Sequence, residues 1–387
     1  MRITEIIETS VPMRGEIANA VVDFSRHTVS LVAVVSDRMR NGKPVTGVAF
    51  NSIGRFAQGG ILRDRMIPRV LEEPPESLLD DAGRIDPARV LGRALADEKP
   101  GGHGDRAGAA AALELACWDL NAKLADEPAH RIIARHFSRD TAATAVPVYA
   151  AGGYYYPGDG LERLRAEMRG YLDLGYDAVK MKIGGAAMRA DLDRVEAVID
   201  IVGSGGRVAV DANGRFDAAA AGDWAQALGS YGLRWYEEPG DPLDFELNAR
   251  VIAGYGGAVA TGENLFSVPD VTNLVRYGGM RPGRDIFQMD AGLSYGLTEY
   301  ARMLEVLEAH GFDRRCAFPH GGHLINLHIV VGLGLGGCES YPGVFAPFGG
   351  YSAGCVLSDG TITPTDAPGF GLEEKSDLAA VIAELVG

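Results

Sequence analysis

The chain has 387 residues, of which 47 % are hydrophobic and 23 % are charged, a composition typical of a globular protein. This length suits two domains, or one barrel with an extra domain. Its formal net charge of −15 argues against nucleic acid and anionic membrane surfaces as partners. The four cysteines form no CxxC pair, and no apolar run approaches the ~20 residues of a membrane-spanning helix. We therefore expect a cytoplasmic protein with no membrane partner.

The first part of the chain predicts a small α+β unit. Residues 27–36 and 45–50 are rich in β-forming side chains, and the turn-like pair Asn41 and Gly42 lies between them, which predicts a hairpin. Alanine- and leucine-rich patterns then predict two helices, near 86–98 and over 106–125.

From about residue 146, short apolar runs alternate with helical segments such as 161–174 and 188–202. Repeated about eight times, this alternation predicts a parallel barrel. An open doubly wound sheet is the alternative, but the glycine fingerprint that usually follows its first strand is absent. The predicted strands are 146–151, 178–183, 207–211, 234–237, 258–262, 286–290, 315–319 and a last one near 338–341.

These patterns together predict an α/β protein. Its centre is a TIM-type (β/α)7β barrel with the catalytic site, preceded by an N-terminal α+β capping domain. We place the capping domain at residues 1–140, the barrel at 141–343, and a C-terminal segment that returns to the capping domain at 344–387.

Ionisable residues recur where the predicted strands end. Asp211, Glu237 and Glu263 are separated by nearly equal intervals of about one strand–helix unit. A barrel gathers the carboxyl ends of its strands in one mouth, so these side chains are expected to converge. Three carboxylates offer hard oxygen ligands, which suit Mg²⁺ better than zinc. We predict one Mg²⁺ per active site, with Glu238 as the alternative to Glu237 in the segment WYEEP.

Two lysines and a histidine supply candidate acid and base groups. Lys180 and Lys182 point to the same side of their strand, and like-charge repulsion is expected to lower their pKa values toward those of a general base. His320, near the end of the seventh predicted strand, would pair with Asp290 of the sixth. A solvated KxK strand edge is the alternative for the lysines. With a metal, this set suits removal of a proton α to a carboxylate.

The segments VKMKIG, VDANG, WYEEP, TGEN, QMDAG and FPHGGH together resemble the mandelate racemase branch of the enolase superfamily, over essentially the whole chain. The resemblance implies a dehydratase of a small hydroxy-carboxylate, an acid sugar, with D-tartrate converted to oxaloacetate as the expected reaction. It implies that Lys182 removes the α-proton and that His320, paired with Asp290, protonates the departing β-hydroxyl. Barrels of this kind usually self-associate, so a homo-oligomer is expected.

The same resemblance implies residues that contact the substrate. In the barrel these are Lys180, Asn213 and Glu339; in the cap they are the loop from Glu16 to Asn19, with Asn51 and Lys99. Turn chemistry alone is an equal explanation for the three cap side chains.

Other functions compete with the dehydratase of tartrate. A dehydratase of another acid sugar (an aldarate or aldonate), and a racemase or cycloisomerase on the same barrel, need the same base, acid and metal. A non-enzymatic barrel predicts erosion of these positions, and each of them is intact in the sequence. Keto-acid formation from a panel of acid sugars separates the lyase from the isomerases.

Overall fold

The computed structural model of the protein describes residues 1–15, 17–139, 144–156, 158 and 160–387. Glu16, the first residue of the predicted cap loop, lies outside the described residues. Within the described ranges, no helix has both the length and the apolar sequence that crossing a membrane requires.

The N-terminal part of the chain contains a three-stranded antiparallel sheet. Its strands lie in chain order: β1 (Ile3–Pro12), β2 (Thr28–Arg40) and β3 (Lys43–Phe50). Asn41 and Gly42 connect β2 to β3 with φ angles of 51° and 77°, which asparagine and glycine adopt most readily. The predicted hairpin is confirmed, and both strands run closer to the turn than the sequence pattern indicated.

A long helix packs against this sheet. The helical segments of the N-terminal part are α1 (Gly59–Ile61), a π-helical stretch (Leu62–Met66), α2 (Ile67–Leu71), a 3-10 turn (Pro75–Leu78), α3 (Pro87–Ala94), α4 (Gly104–Ala125) and α5 (Ala129–His136). Gly47 of β3 lies so close to α4 that a β-carbon there would meet the Ala116 carbonyl oxygen at 2.1 Å. The alanine-rich sequence of α4 suits this contact, because small side chains let backbones approach. The helix expected near 86–98 is α3, which is shorter.

Parallel strands and helices alternate through the centre of the chain. The strands are β4 (Val146–Gly152), β5 (Val179–Lys182), β6 (Val208–Asp211), β7 (Trp235–Glu237), β8 (Val259–Thr261), β9 (Ile286–Phe287) and β10 (Cys338–Ser340). The helices are α6 (Leu161–Asp173), α7 (Met188–Val202), α8 (Ala218–Leu228), α9 (Phe245–Gly254), α10 (Val268–Tyr277), α11 (Leu297–Ala309) and α12 (Leu324–Leu333). Strands β4 to β9 pair in chain order, and β10 pairs with β4.

The strand predicted at 315–319 is the one barrel strand that was wrong. A 3-10 helix covers Arg314–Cys316, because the Asp313 carboxylate accepts from the Arg315 amide at 2.8 Å and caps the turn. Ala317 alone forms a parallel bridge, to Phe287. The Gly336 amide donates to the Ala317 carbonyl at 3.1 Å and continues the ring. The protein is therefore a TIM-type (β/α)7β barrel with an N-terminal α+β cap, as predicted.

Large side chains fill the barrel beneath the carboxyl ends of the strands. The interior cluster consists of Tyr149, Ala178, Ala209, Trp235, Ala260 and Phe318. The Tyr149 and Trp235 rings meet edge to face with centroids 5.1 Å apart. Because Trp235 precedes Glu237 by two residues on β7, this packed layer fixes the height at which Glu237 enters the site.

The C-terminal segment contacts both parts of the molecule. The hairpin of β11 (Val356–Ser358) and β12 (Thr361–Thr363) adds to the edge of β4, and α13 (Ser376–Val386) contacts β1. Nearby, the Phe370 amide donates to Asp119 of α4 at 2.7 Å. The segment thus reaches the N-terminal sheet and helix, while the domain boundaries after residues 140 and 343 stay predictions.

Two buried histidines join α5 to α12. His130 and His328 place their Nδ1 atoms 3.3 Å apart, and neither Nε2 atom has a hydrogen-bond partner among the described residues. Burial lowers the pKa of His130 to about 4 and that of His328 well below its usual value near 6.5. The folded protein therefore holds both rings neutral, and protonating either one opposes folding.

Acidification is expected to destabilise the protein through this pair. The folded pKa values are depressed, so the stability that the pair contributes is present above about pH 6.5 and is lost as the pH falls toward 4, on the order of 2 kcal/mol. In urea unfolding across this pH range, the free energy of unfolding should fall less for the double variant His130→Gln/His328→Leu than for the wild type. The exposed His310→Gln variant is the control. Equal pH dependence in all three proteins would contradict the assignment.

Candidate active site

Two lysines and two carboxylates meet at the ends of β5, β6 and β7. Lys182 Nζ lies 2.5 Å from Asp211 Oδ2, and Lys180 Nζ lies 2.5 Å from Glu237 Oε1. The strand register causes this, because Lys182 pairs with Asp211 and Asp211 with Glu237 on neighbouring strands. All four side chains are buried. The structure thus brings together four of the residues that the sequence selected.

The lysine pKa values differ from the prediction. Burial lowers the pKa of Lys180, but the charges of Glu237 and Glu339 outweigh it and raise the pKa well above its usual range. For Lys182, Asp211 similarly outweighs burial and raises the pKa, while repulsion from Lys180 is a smaller effect. The expectation of lowered pKa values was therefore wrong. The two lysines do repel each other, but the attraction of each ammonium to its neighbouring carboxylates is stronger than this repulsion.

A cavity of about 230 Å³ opens beside these groups. Three parts of the chain form its walls. The barrel supplies Tyr154, Lys182, Asn213, Glu238, Pro242, Glu263, Asn264, His320 and Tyr341, the C-terminal segment supplies Phe345, and the N-terminal part supplies Asn19, Val21, Val22, Phe24, Ile53, Gly54 and Arg55. Asp211 and Glu237 are fully buried behind this wall. The cavity is therefore where a small molecule would meet Lys182 and His320 together.

Glu237 and Glu238 have different surroundings. Glu237 Oε2 accepts from Trp235 Nε1 and from Gln288 Nε2, both at 2.8 Å, and so faces the barrel interior. Glu238 lines the cavity, and its Oε1 accepts from Asn264 Nδ2 at 2.8 Å. Burial raises the pKa of Glu238 well above its usual range, and the charges of Glu263 and Asp211 add to the effect. Both glutamates remain candidates for a cation ligand.

His320 is held in one orientation by hydrogen bonds on both ring nitrogens. Nδ1 lies 3.2 Å from Asp290 Oδ2, and Nε2 lies 3.1 Å from the Tyr341 hydroxyl, which itself donates to Glu339 at 2.9 Å. Burial lowers the pKa of His320, but the charge of Glu263, 3.8 Å away, and the bond to Asp290 raise it to about 9. His320 is therefore a protonated imidazolium near neutral pH, able to donate a proton.

Asn326 fixes the orientation of Asp290, the carboxylate partner of His320. Asn326 Nδ2 donates to Asp290 Oδ1 at 3.1 Å and to the His320 carbonyl oxygen at 2.5 Å. Asp290 also accepts from the Gly292 amide at 2.8 Å. Because Asp290 receives these bonds on Oδ1, its Oδ2 is left to face the imidazole.

The predicted substrate contacts in the barrel lie near the same groups. Glu339 bridges Lys180 Nζ at 2.8 Å and the Gly321 amide at 3.0 Å, and it is buried rather than part of the cavity wall. Asn213 lines the cavity, and its Nδ2 donates to Asp211 Oδ2 at 3.2 Å. Asn213 Oδ1 is buried without a hydrogen-bond partner among the described residues, so a ligand in the cavity could supply one.

The three predicted substrate-contact residues of the cap lie in different environments. Asn19 lines the cavity, and its Oδ1 accepts from the amides of Val21 and Val22, so it also shapes the loop. Asn51 does not reach the cavity: it is fully buried, and its Oδ1 accepts from the Ser30 amide at 2.7 Å. Lys99 is exposed and does not line the cavity either. The substrate contacts of Asn51 and Lys99 therefore stay predictions, and neither residue lines this cavity.

Sequence reasoning did not select the polar wall residues Arg55, Asn264 and Tyr341, and it considered Glu238 only as an alternative. Tyr341 follows Glu339 by two residues, and the alternation of a strand could have placed both on one side. Arg55 lies in a loop of the N-terminal part, far from the barrel in sequence, and no local pattern points to it.

The carboxylate set fits a hard divalent cation. Within the described ranges, no three Asp, Glu, His or Cys side chains already form a coordination shell, and the oxygens of Asp211 and Glu237 are held by the lysines. The donors nevertheless are carboxylate oxygens on neighbouring strands, which Mg²⁺ prefers. Burial, together with the charges of Glu263 and Asp211, raises the pKa of Glu238, and Asn213 Oδ1 is unpaired among the described residues, so positive charge would be stabilised here.

Comparison with known proteins identifies the family. Residues 163–378 match the family described as enolase C-terminal domain-like, and the chain belongs to it. The chain is 29 % identical over 285 residues to a 3,6-anhydro-alpha-L-galactonate cycloisomerase of Streptomyces coelicolor, covering 70 % of each chain. It is 26 % identical over 329 residues to an L-talarate/galactarate dehydratase of Salmonella typhimurium, covering 84 % of this chain and 77 % of the relative.

A solved structure has the same fold over nearly the whole chain. An L-talarate dehydratase from Polaromonas sp. JS666, complexed with Mg and L-glucarate, superposes with a TM-score of 0.77 at 21 % identity, covering 97 % of this chain and 95 % of the other. The chain is therefore an enzyme of the enolase superfamily, in the group of dehydratases, cycloisomerases and racemases.

Proposed function

We propose that the protein is a Mg²⁺-dependent hydro-lyase that removes water from a hydroxy-carboxylate, an acid sugar. The observation that carries the proposal is that Lys182 and His320 line one cavity. They enter it from the second and seventh positions of the barrel, with two positions between them on one side and four on the other. A base and an acid so placed can act on two neighbouring carbons of one bound molecule.

Asp211, Glu237 and Glu263 are proposed as the residues that hold the cation, with Glu238 as the alternative to Glu237. A divalent cation bound there would stabilise negative charge on the substrate carboxylate and compete with the two lysines for carboxylate oxygens. The neighbouring Asn213 has a free Oδ1, and Lys180 lies between Glu237 and Glu339. We propose that Lys180, Asn213 and Glu339 orient the substrate carboxylate.

Lys182 is proposed as the base. Its ammonium must first lose a proton, and a cation that took the oxygens of Asp211 would remove the bond and the charge that hold that proton. The neutral amine could then accept the proton from the carbon next to the carboxylate. The electron pair of the broken C–H bond then moves toward the carboxylate. The Tyr154 ring, whose centroid is 5.5 Å from Lys182 Nζ, covers one side of the amine and limits its exposure to water.

His320 is proposed as the acid. Its Nε2 donates a proton to the β-hydroxyl, the C–O bond breaks, and water leaves. The enol that remains takes up a proton at the β-carbon and gives up its hydroxyl proton, which makes it a 2-keto acid, so the net change is the loss of one water molecule. Asp290 keeps the proton on Nδ1 and thereby stabilises the imidazolium before it donates.

D-Tartrate is the first substrate to test, with oxaloacetate as its product. The segment KMKIGG, the cap segment GEIANAVVDFSRHTVSLVAVV and the segment FPHGGHLINLHIVVGLGLGGCESYPGVFAPFGG resemble D-tartrate dehydratase. The cavity of about 230 Å³ suits a short acid. The dehydratase named above acts on longer aldarates by its name, so these belong in the same panel.

A cycloisomerase or racemase is the second candidate. The cycloisomerase relative, which this chain covers to 70 %, favours it. Such an enzyme would use the same base and acid, but it would move a proton without releasing water. The products therefore differ: an isomer of the same mass on one side, a keto acid on the other.

A substrate panel tests the proposal. We expect keto acid from D-tartrate, and none from L- or meso-tartrate, when the purified protein is assayed with Mg²⁺. Activity should disappear after chelation and return with added Mg²⁺. Keto acid from a longer aldarate or aldonate would keep the chemistry and change the substrate. If no acid of the panel yields a keto acid but the α-proton exchanges with solvent, the protein is an isomerase and the lyase proposal is contradicted.

A further inference from the structure

The loop that follows β3 brings an arginine to the cavity wall. Arg55 is half-buried, and its guanidinium lies 5.6 Å from the centroid of the Phe266 ring. Its Nη2 donates to Asn264 Oδ1, and its Nη1 lies 3.4 Å from the Gly54 carbonyl oxygen. Arg55 is thus a cation of the N-terminal part that reaches over the mouth of the barrel.

Arg55 differs from the other cations of the cavity in its partners. Lys182 is paired with Asp211, and His320 with Asp290. Arg55 forms no salt bridge to a carboxylate within the described residues, and its acceptors are one amide oxygen and one backbone carbonyl. A guanidinium presents five N–H donors, so most of its donors are left for another group.

Asn264 sets where this guanidinium stands. Its Oδ1 accepts from Arg55, and its Nδ2 donates to Glu238 Oε1 at 2.8 Å, so both ends of the amide are fixed. Asn264 is also the residue after Glu263. The cation therefore lies next to Glu238 and Glu263 but is not paired with either, on the part of the cavity wall that the N-terminal part supplies.

We propose that Arg55 binds the second carboxylate of the substrate, and that the preferred substrates are hydroxy-dicarboxylates rather than monocarboxylates. This inference rests on the proposed function, in which the first carboxylate is oriented by Asn213 in the cavity wall and by Lys180 behind it. An acidic protein with two carboxylates, Glu238 and Glu263, in the cavity wall repels a free carboxylate unless a cation faces it. Arginine matches a carboxylate with two parallel hydrogen bonds.

A purely structural role makes a different prediction. If Arg55 only joins the cap loop to Asn264, its removal would loosen the loop and weaken every substrate equally. If it binds a carboxylate, the loss is confined to ligands that carry a second one. The comparison of dicarboxylate with monocarboxylate therefore separates binding from scaffolding.

The first experiment measures KM and kcat for an aldarate and for the aldonate of the same length, in the wild type, Arg55→Met and Arg55→Lys. For Arg55→Met we expect KM for the aldarate to rise about 10–100-fold, kcat to change less, and the aldonate constants to change less than about threefold. Arg55→Lys should lose less, because it keeps the charge but not the paired geometry. Arg26→Met, an exposed arginine of the same part of the chain that does not line the cavity, should behave as the wild type.

A second experiment does not depend on turnover. Calorimetry with succinate and with butyrate, which differ by one carboxylate, should show tighter binding of succinate to the wild type in the presence of Mg²⁺, and loss of that difference in Arg55→Met. If succinate binds in this Arg55-dependent way but the wild type dehydrates no acid, the proposed function is contradicted and Arg55 is still a carboxylate-binding residue. Equal binding of both ligands by the wild type, or equal weakening of both by Arg55→Met, would overturn the inference.

Discussion

Replacing Lys182 with alanine is expected to lower kcat for keto-acid formation by about 10²–10⁴-fold. Lys182 ends β5 and is the lysine that lines the cavity, whereas Lys180 lies deeper, between Glu237 and Glu339. No other lysine lines the cavity among the described residues. Without Lys182, water at most would accept the α-proton, and water is a far weaker base. The measurement is keto-acid release at saturating substrate and Mg²⁺.

Exchange of the substrate α-proton with solvent deuterium shows whether Lys182→Ala has lost the proton-removal step. In deuterium oxide, the wild type should exchange the α-proton of a bound substrate, and Lys182→Ala should not. Lys43→Ala, in an exposed position of the β2–β3 hairpin, controls for loss of a positive charge alone. Circular dichroism must show a native spectrum, because the variant leaves buried Asp211 without its closest partner. Normal exchange in a folded Lys182→Ala protein would assign the base to another residue.

The sequence alone predicted the barrel because its strand–helix units recur at a regular interval. Each unit returns the chain to the same face, so Lys182, Asp211 and Glu237 lie side by side at the ends of neighbouring strands, whereas the joint cation site of Asp211, Glu237 and Glu263 stays a prediction. The hairpin at Asn41 and Gly42 was predictable from local sequence, because a two-residue turn with positive φ angles is most readily formed by asparagine followed by glycine.

The features that were missed depend on partners remote in sequence. The seventh barrel position is a 3-10 turn because Asp313 caps it, which an apolar run does not reveal. The lysine pKa values are set by carboxylates on the next strands, at distances that only the register fixes. Arg55 reaches the cavity through the fold of the cap loop, so neither spacing nor composition could select it.

Replacing His320 with asparagine is expected to separate the two halves of the proposed reaction. Keto-acid formation should fall by about 10²–10⁴-fold, because asparagine has no proton to give to the leaving hydroxyl. Exchange of the α-proton should persist, because Lys182 and the carboxylates are unchanged. The measurements are keto-acid release and deuterium incorporation on the same substrate. His310→Asn, on the surface after α11, is the matched control.

The same variant also separates a lyase from a racemase. If Lys182 and His320 were two bases acting on opposite faces of one carbon, His320→Asn would abolish exchange from one enantiomer and keep it from the other. If His320 is the acid for a hydroxyl, the wild type already exchanges only the enantiomer that presents its α-proton to Lys182, and His320→Asn keeps that exchange. The hydrogen bonds from both ring nitrogens favour the second result, because an imidazole already protonated near neutral pH is an acid before it is a base.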